Sequence, residues 1–169
     1  RLVNHLKKTG DYENTIFIFT SDNGAEYNGW NDQRRLRNRL LQWRMGYSLD
    51  YETLGLKGSF NAIGPSFASA AASPLSFYKF YSGEGGLRVP LIIAGGQITQ
   101  NNAHSKAFTY VTDITPTILE LSQVTKPAGR YGGRNVEPII GKSLLPLLKG
   151  NAERVYGEQD SVAFEIGGN

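Results

Sequence analysis

Residues 15–20, Thr15-Ile16-Phe17-Ile18-Phe19-Thr20, form an unbroken run of β-branched and aromatic side chains that stops abruptly at Ser21-Asp22-Asn23-Gly24. A run without polar alternation predicts a strand covered on both faces, the environment of a parallel sheet in an α/β protein. Ahead of it, Leu2, Val3 and Leu6 stand at helical spacing, and Gly10 follows as a C-cap. A helix leading into a buried strand that ends in a polar turn is half of a doubly wound unit. The pattern recurs at Val89-Pro90-Leu91-Ile92-Ile93-Ala94, a second predicted buried strand closed by Gly95-Gly96. The chain's 169 residues suit one compact domain, because a chain of that size buries roughly 70% of the surface it exposes when unfolded.

Between the two strands the pattern is poor, and residues 26–87 read as a long loop region on the functional side of the sheet. Loops beyond about 15 residues are uncommon in compact domains and often carry function. Within it, Leu36, Leu40 and Trp43 recur at i, i+4, i+7, which predicts an amphipathic helix over Gln33 to Met45 with its leucines turned inward. Ala68 to Ala72 suggests a closely packed turn of helix. Further on, Asp113 reads as an N-cap with Pro116 in the first turn of a helix continuing through Ile118, Leu119 and Leu121. A short helix is predicted at Ser143 to Leu148, ending at Gly150, and a last strand at Val162 to Ile166.

Several function classes drop out on composition. There is no cysteine, which excludes disulfides, thiolate metal sites and thiol nucleophiles within the chain. The longest apolar stretch, Val89 to Ala94, falls far short of the roughly 20 residues a membrane span needs. No basic leader with an apolar run opens the chain, and it begins at Arg1, so it is expected to be a piece of a longer protein. The net charge of +3 is local: Arg34, Arg35, Arg37, Arg39 and Arg44 cluster together, and elsewhere acids outnumber bases. Such a run can neutralise nucleic-acid phosphates. It reads here as the solvated face of a helix, and nucleic acid is not an expected partner. His5 and His104 lack metal-ligand spacing and read as surface residues.

Two features could carry chemistry. Asp22 and Asn23, at the carboxyl end of the first strand, offer adjacent hard oxygen donors suited to Ca²⁺ or Mg²⁺, and ligands gather at such strand ends in α/β sheets. The same residues also make an ordinary polar turn. Lys79 lies in Phe77-Tyr78-Lys79-Phe80-Tyr81, ahead of Glu84-Gly85-Gly86-Leu87-Arg88-Val89-Pro90. Its ammonium can serve as a point-charge anion binder, or its stem can simply pack across aromatic rings. Arg88 reads as structural, holding a carboxylate or a carbonyl beneath the strand.

Taken in order, four segments resemble the type I sulfatases, and the bacterial arylsulfatases in particular. They are Asn14 to Glu26, Ile63 to Ala70, Tyr78-Lys79 with Glu84 to Pro90, and Tyr110 to Leu119, with a further match near Phe164-Glu165. The resemblance implies a sulfuric ester hydrolase acting on a small sulfate ester. Its fold would be a partial three-layer sandwich with a mostly parallel sheet, alkaline-phosphatase-like, incomplete at both ends and forming one domain fragment over residues 1–169. By resemblance Asp22 and Asn23 are metal ligands, for Ca²⁺ with Mg²⁺ as the alternative, and Lys79 is a catalytic residue contacting the sulfate group. The family's nucleophile is the hydrate of a formylglycine, which attacks sulfur, displaces the alcohol and then expels sulfate. Formylglycine arises in a Cys/Ser-x-Pro/Ala-x-Arg motif near the family's N-terminus, and no such motif occurs in these 169 residues. The nucleophile and the other two metal carboxylates are therefore expected from an N-terminal half, and this segment alone is expected to be inactive. Asn rather than His at position 23 favours sulfatases over the phosphoryl- or phosphonate-hydrolysing relatives, which stay an alternative, as does a non-catalytic binding homologue. The family resemblance points to export, periplasmic or secreted.

Overall fold

The computed structural model describes residues 1–28, 35–100, 103–163 and 165. In chain order the elements are α1 (Leu2–Thr9), β1 (Ile16–Thr20), α2 (Leu36–Met45), α3 (Gly64–Ala72), α4 (Glu84–Leu87), β2 (Leu91–Gly95), α5 (Ile114–Leu121), β3 (Arg130–Tyr131), β4 (Arg134–Asn135) and α6 (Leu145–Leu148). Helices interleave with strands, so the chain is α/β. Among the described residues the strands make two pairs, β1 with β2 and an antiparallel β3–β4 hairpin. The chain divides into two compact units, residues 1–19 with 92–163 and residues 20–91 with 164–169.

In the first unit, α1 ends where predicted: Gly10 takes the left-handed conformation at φ 83° and its N–H bonds back to Leu6. Such a C-cap suits glycine because any Cβ is strained there. The strands differ from expectation. Ile16 and Ile18 of β1 line a cleft of about 280 Å³ with Ile118, Leu121 and Ser122, but Phe19 and Ile92 are exposed. Within this unit the sheet is covered on one face, and β2 alternates accordingly between half-buried and exposed residues. The predicted strand at Val162 to Ile166 is not formed at Val162, Ala163 or Glu165, and Phe164 and Ile166 lie outside the described residues.

The most deeply buried side chains of this unit are Asp113, Pro116, Thr117 and Leu144. Asp113 does precede α5, yet its carboxylate does not cap that helix. Instead Oδ2 accepts the Tyr110 N–H at 2.7 Å, and Oδ1 accepts the Lys142 N–H at 2.9 Å and the Tyr156 hydroxyl at 2.5 Å. A fully buried carboxylate requires such donors, since its desolvation is otherwise prohibitive. Thr117 extends the network, donating to the Asp113 carbonyl at 2.6 Å and accepting the Leu144 N–H at 2.8 Å. Gly141 makes the approach possible, because a Cβ there would collide with the Thr112 carbonyl. Burial first, then the bond to Asp113, pushes the Tyr156 hydroxyl up to about 12 from 10.0. A raised folded-state value means this contribution to stability is complete below pH 10 and is lost as pH rises through about 12.

The second unit is more helical than the sequence suggested, with α2, α3 and α4 and a 3₁₀ turn at Tyr51–Thr53. Pro65 opens α3 at its first turn, a position where the missing N–H is harmless. Within the predicted helix of Gln33 to Met45, α2 starts at Leu36, while Gln33 and Arg34 lie outside the described residues. Its orientation reverses the expectation. Leu36, Leu40 and Trp43 are 77%, 59% and 79% exposed, whereas Gln42 is buried. The apolar stripe is real in the sequence, but the unit packs the opposite side of the helix, where Asn38 and Leu41 are half-buried.

Replacing Asp113 by Ala orphans two backbone N–H groups and one hydroxyl, each worth about 1–3 kcal/mol when buried and unpaired. We expect Asp113→Ala to destabilise the protein by about 3 kcal/mol or more and to lower its melting midpoint by roughly 6–12 °C, measured by circular dichroism. A midpoint within a degree of the parent would show that the carboxylate is dispensable.

Candidate functional site

The three sequence-predicted site residues all fall in the second unit, and backbone pairing brings their segments together. The turn after β1 is closed locally, with Ser21 Oγ donating to the Asn23 carbonyl at 2.8 Å and Asn23 Nδ2 to the Gly24 carbonyl at 3.0 Å. Residues 25–28 beyond it are irregular, so the turn does not cap a helix there. From this turn the Gly24 N–H reaches the Gly86 carbonyl at 3.2 Å, and the Ala25 carbonyl receives the Lys79 N–H at 3.0 Å. The Asp22-Asn23-Gly24 turn and the Lys79–Gly86 segment thus lie side by side.

Glycine is required for that approach. A Cβ on Gly24 would overlap the Gly85 carbonyl oxygen and stand 2.9 Å from the Gly86 Cα; one on Gly85 would overlap the Phe77 carbonyl, and one on Gly86 that of Tyr81. Gly85 N–H in turn bonds the Ser76 carbonyl at 2.8 Å. The chain around Lys79 is also held in an uncommon conformation, with Phe77 at φ 68° and Phe80 at φ 76°. Bulky residues rarely occupy this left-handed region, and such strain concentrates at binding and catalytic sites.

Lys79 lies beside an aromatic ring of its own segment. Its ammonium lies 5.1 Å from the Phe80 ring centroid, and Tyr27 packs against both Tyr78 and Phe80 at 5.4 and 6.5 Å between centroids. It also forms an ion pair of 2.7 Å with Glu26 Oε2, the side chains being 28% and 40% exposed. Pairs this open contribute only about 0–1 kcal/mol, so the contact orients the ammonium more than it stabilises the fold. Burial first, and the neighbouring Tyr81 second, raise the Tyr78 phenol above its usual range.

As a cation site the turn is partial. Asp22 is exposed and supplies a carboxylate. Because Asn23 Nδ2 is engaged with the Gly24 carbonyl, Oδ1 is the amide atom left to meet a cation. These are two hard oxygen donors of the type Ca²⁺ prefers, out of the six to eight it takes. Among the described residues no cluster of three or more His, Cys, Asp or Glu could hold a metal. The donor chemistry fits a calcium-like ion, and the number of donors calls for more.

Glu26, the ion-pair partner of Lys79, is not marked by the sequence pattern. It lies 53 positions from Lys79, and no local pattern links the two. Arg88 does hold a carboxylate, that of Glu84 at 2.9 Å, but at the surface rather than beneath the strand, both side chains being 65% exposed. His5 and His104 are exposed, as expected.

Comparison with known proteins identifies the family. The family model for sulfatases matches residues 1–124, and the chain belongs to the sulfatase family. The family implies an alkaline-phosphatase-like α/β fold and generally uses a divalent metal. An uncharacterized sulfatase of Schizosaccharomyces pombe is 38% identical over 168 residues, 99% of this chain and 30% of that protein. The arylsulfatase of Klebsiella aerogenes is 30% identical over 147 residues, 86% of this chain and 31% of its own length. The chain therefore spans about a third of the length of the curated relatives it matches. No helix among the described residues is long and apolar enough to cross a membrane.

The close approach at Gly24 is checked by Gly24→Ala. The added methyl meets backbone atoms that cannot rotate away, so a loss of about 1–3 kcal/mol is expected, read as a lower urea midpoint at unchanged m-value. A neutral substitution would mean the two segments are not in contact.

Proposed function

We propose that this chain forms the sulfuryl-binding side of a sulfuric ester hydrolase that acts on aryl sulfates. The observation that carries the reading is the backbone pairing of the Lys79 segment with the loop that begins at Asp22-Asn23, the same loop whose Glu26 holds the Lys79 ammonium. Family membership and the likeness to the Klebsiella aerogenes arylsulfatase support it. Asp22 and Asn23 would supply two ligands to Ca²⁺, or to Mg²⁺, and the ion would contribute charge neutralisation at the sulfuryl oxygens. Lys79 binds the sulfate group and stabilises the charge that develops on its oxygens as the ester bond breaks. A donor fixed before the substrate arrives needs no reorganisation at that moment, which is why it accelerates the reaction.

The nucleophile comes from elsewhere in this reading. No residue in the chain meets the sequence requirement for formylglycine, so the aldehyde hydrate of that residue is assigned to an N-terminal half, together with the remaining metal carboxylates. The 169 residues alone are then inactive, and their α/β units belong to a three-layer sandwich with a mostly parallel sheet. Asn at position 23 favours sulfate over phosphate esters.

In the full-length protein carrying this chain, Lys79→Ala should lower kcat on an aryl sulfate by roughly 10²–10³, about 3–4 kcal/mol, the usual effect of removing one preorganised donor. Unchanged turnover would take Lys79 out of the reaction. Asp22→Ala should lower bound calcium, measured by elemental analysis of the purified protein. Equal metal content in variant and parent would remove Asp22 from the ligand set.

A further inference from the structure

We infer that Glu26 is a positioning residue for Lys79, aiming its ammonium for the sulfuryl group; the inference rests on the reading of Lys79 as the sulfate-binding lysine. Lysine is a compact charge on a flexible four-carbon stem, so a lysine that must meet a substrate oxygen needs something to fix its end. Here the fixing is done twice from adjacent residues. The Ala25 carbonyl holds the Lys79 N–H at 3.0 Å, and the Glu26 carboxylate holds its Nζ at 2.7 Å. Both grips come from the strand-end loop that carries Asp22 and Asn23, so the anchor and the proposed cation ligands share one short stretch of chain. An ammonium has three N–H donors; among the described residues one bonds to Glu26, which leaves two for the oxygens of a sulfate monoester. The Phe80 ring 5.1 Å away limits where else the charge can swing.

Glu26 also has an electrostatic effect that a purely structural residue would lack. Its negative charge offsets Lys79 toward a free anion, so the carboxylate weakens ground-state attraction while improving aim. Removing that charge should loosen the geometry needed in the transition state and leave anion binding intact or stronger. Positional errors of this kind are expensive, since about 1 Å can change a rate on the order of 10²-fold.

The test is steady-state hydrolysis of an aryl sulfate by the full-length protein as Glu26→Gln, Glu26→Asp, Lys79→Ala and the double variant Glu26→Gln/Lys79→Ala, with melting curves for each. Glu26→Gln should lower kcat about tenfold with KM unchanged or reduced and with inorganic sulfate inhibiting at least as well. Glu26→Asp, which keeps the charge on a shorter stem, should recover part of kcat. In the Lys79→Ala background the Glu26→Gln change should alter kcat by less than about twofold, because its effect runs through the absent ammonium. Unaltered kcat in Glu26→Gln, or an equal loss with and without Lys79, overturns the inference while leaving Lys79 in place. A parent-like Lys79→Ala instead defeats the underlying reading of the lysine. A raised KM with a lowered melting midpoint would assign Glu26 to the fold alone.

Discussion

The second unit depends on how closely two stretches of backbone can lie. Gly24 on one side and Gly85 and Gly86 on the other lack the Cβ atoms that would hold the segments apart, and the Gly24–Gly86 and Ala25–Lys79 bonds register them. Once that register is set, the consequences for chemistry follow in sequence. Lys79 is delivered to the loop that begins at Asp22, its ammonium finds Glu26, and Phe77 and Phe80 stand in left-handed conformations on either side of it. The individual side-chain contacts are weak. An ion pair at this exposure and one cation–π contact contribute about 1 kcal/mol each at most, so the backbone, rather than the charges, places the lysine.

The first unit is organised on a different principle, around a charge. Asp113 is a carboxylate with no exposure, and it is tolerated because two amides and a phenol converge on it. The partners come from before α5, from the start of the segment leading to α6, and from the loop beyond it. Apolar burial alone would leave these segments free to slide, since hydrophobic contact is non-directional. Hydrogen bonds to one fixed group specify their relative placement.

Much of this was legible in the sequence where the signal is local. The β1 run, the Gly10 cap, the helix after Asp113 and the Asp22-Asn23-Gly24 turn follow from neighbours in the chain. Lys79 stands out by its aromatic setting, and only the resemblance to sulfatases, not spacing, suggests the role proposed for it. What escaped was set by distant partners. Glu26 has no meaning as a site residue until Lys79 arrives from 53 positions away. Asp113 looks like any N-cap until Lys142 and Tyr156 come to it. The Leu36, Leu40 and Trp43 stripe shows the converse, because periodicity identifies a helix and a face but not which side the rest of the unit covers.

The network around Asp113 also bears on how the chain would respond to a protease. The stretch between Leu121 and Gly141 carries the exposed β3–β4 hairpin, an accessible place for a nick. Hydrogen bonds join the groups on either side of it: Lys142 and Tyr156 donate to the Asp113 carboxylate, and Leu144 donates to the Thr117 hydroxyl. Cleavage in the hairpin would sever the covalent path and leave this non-covalent one, so the two pieces would stay associated and migrate together until a denaturant separated them.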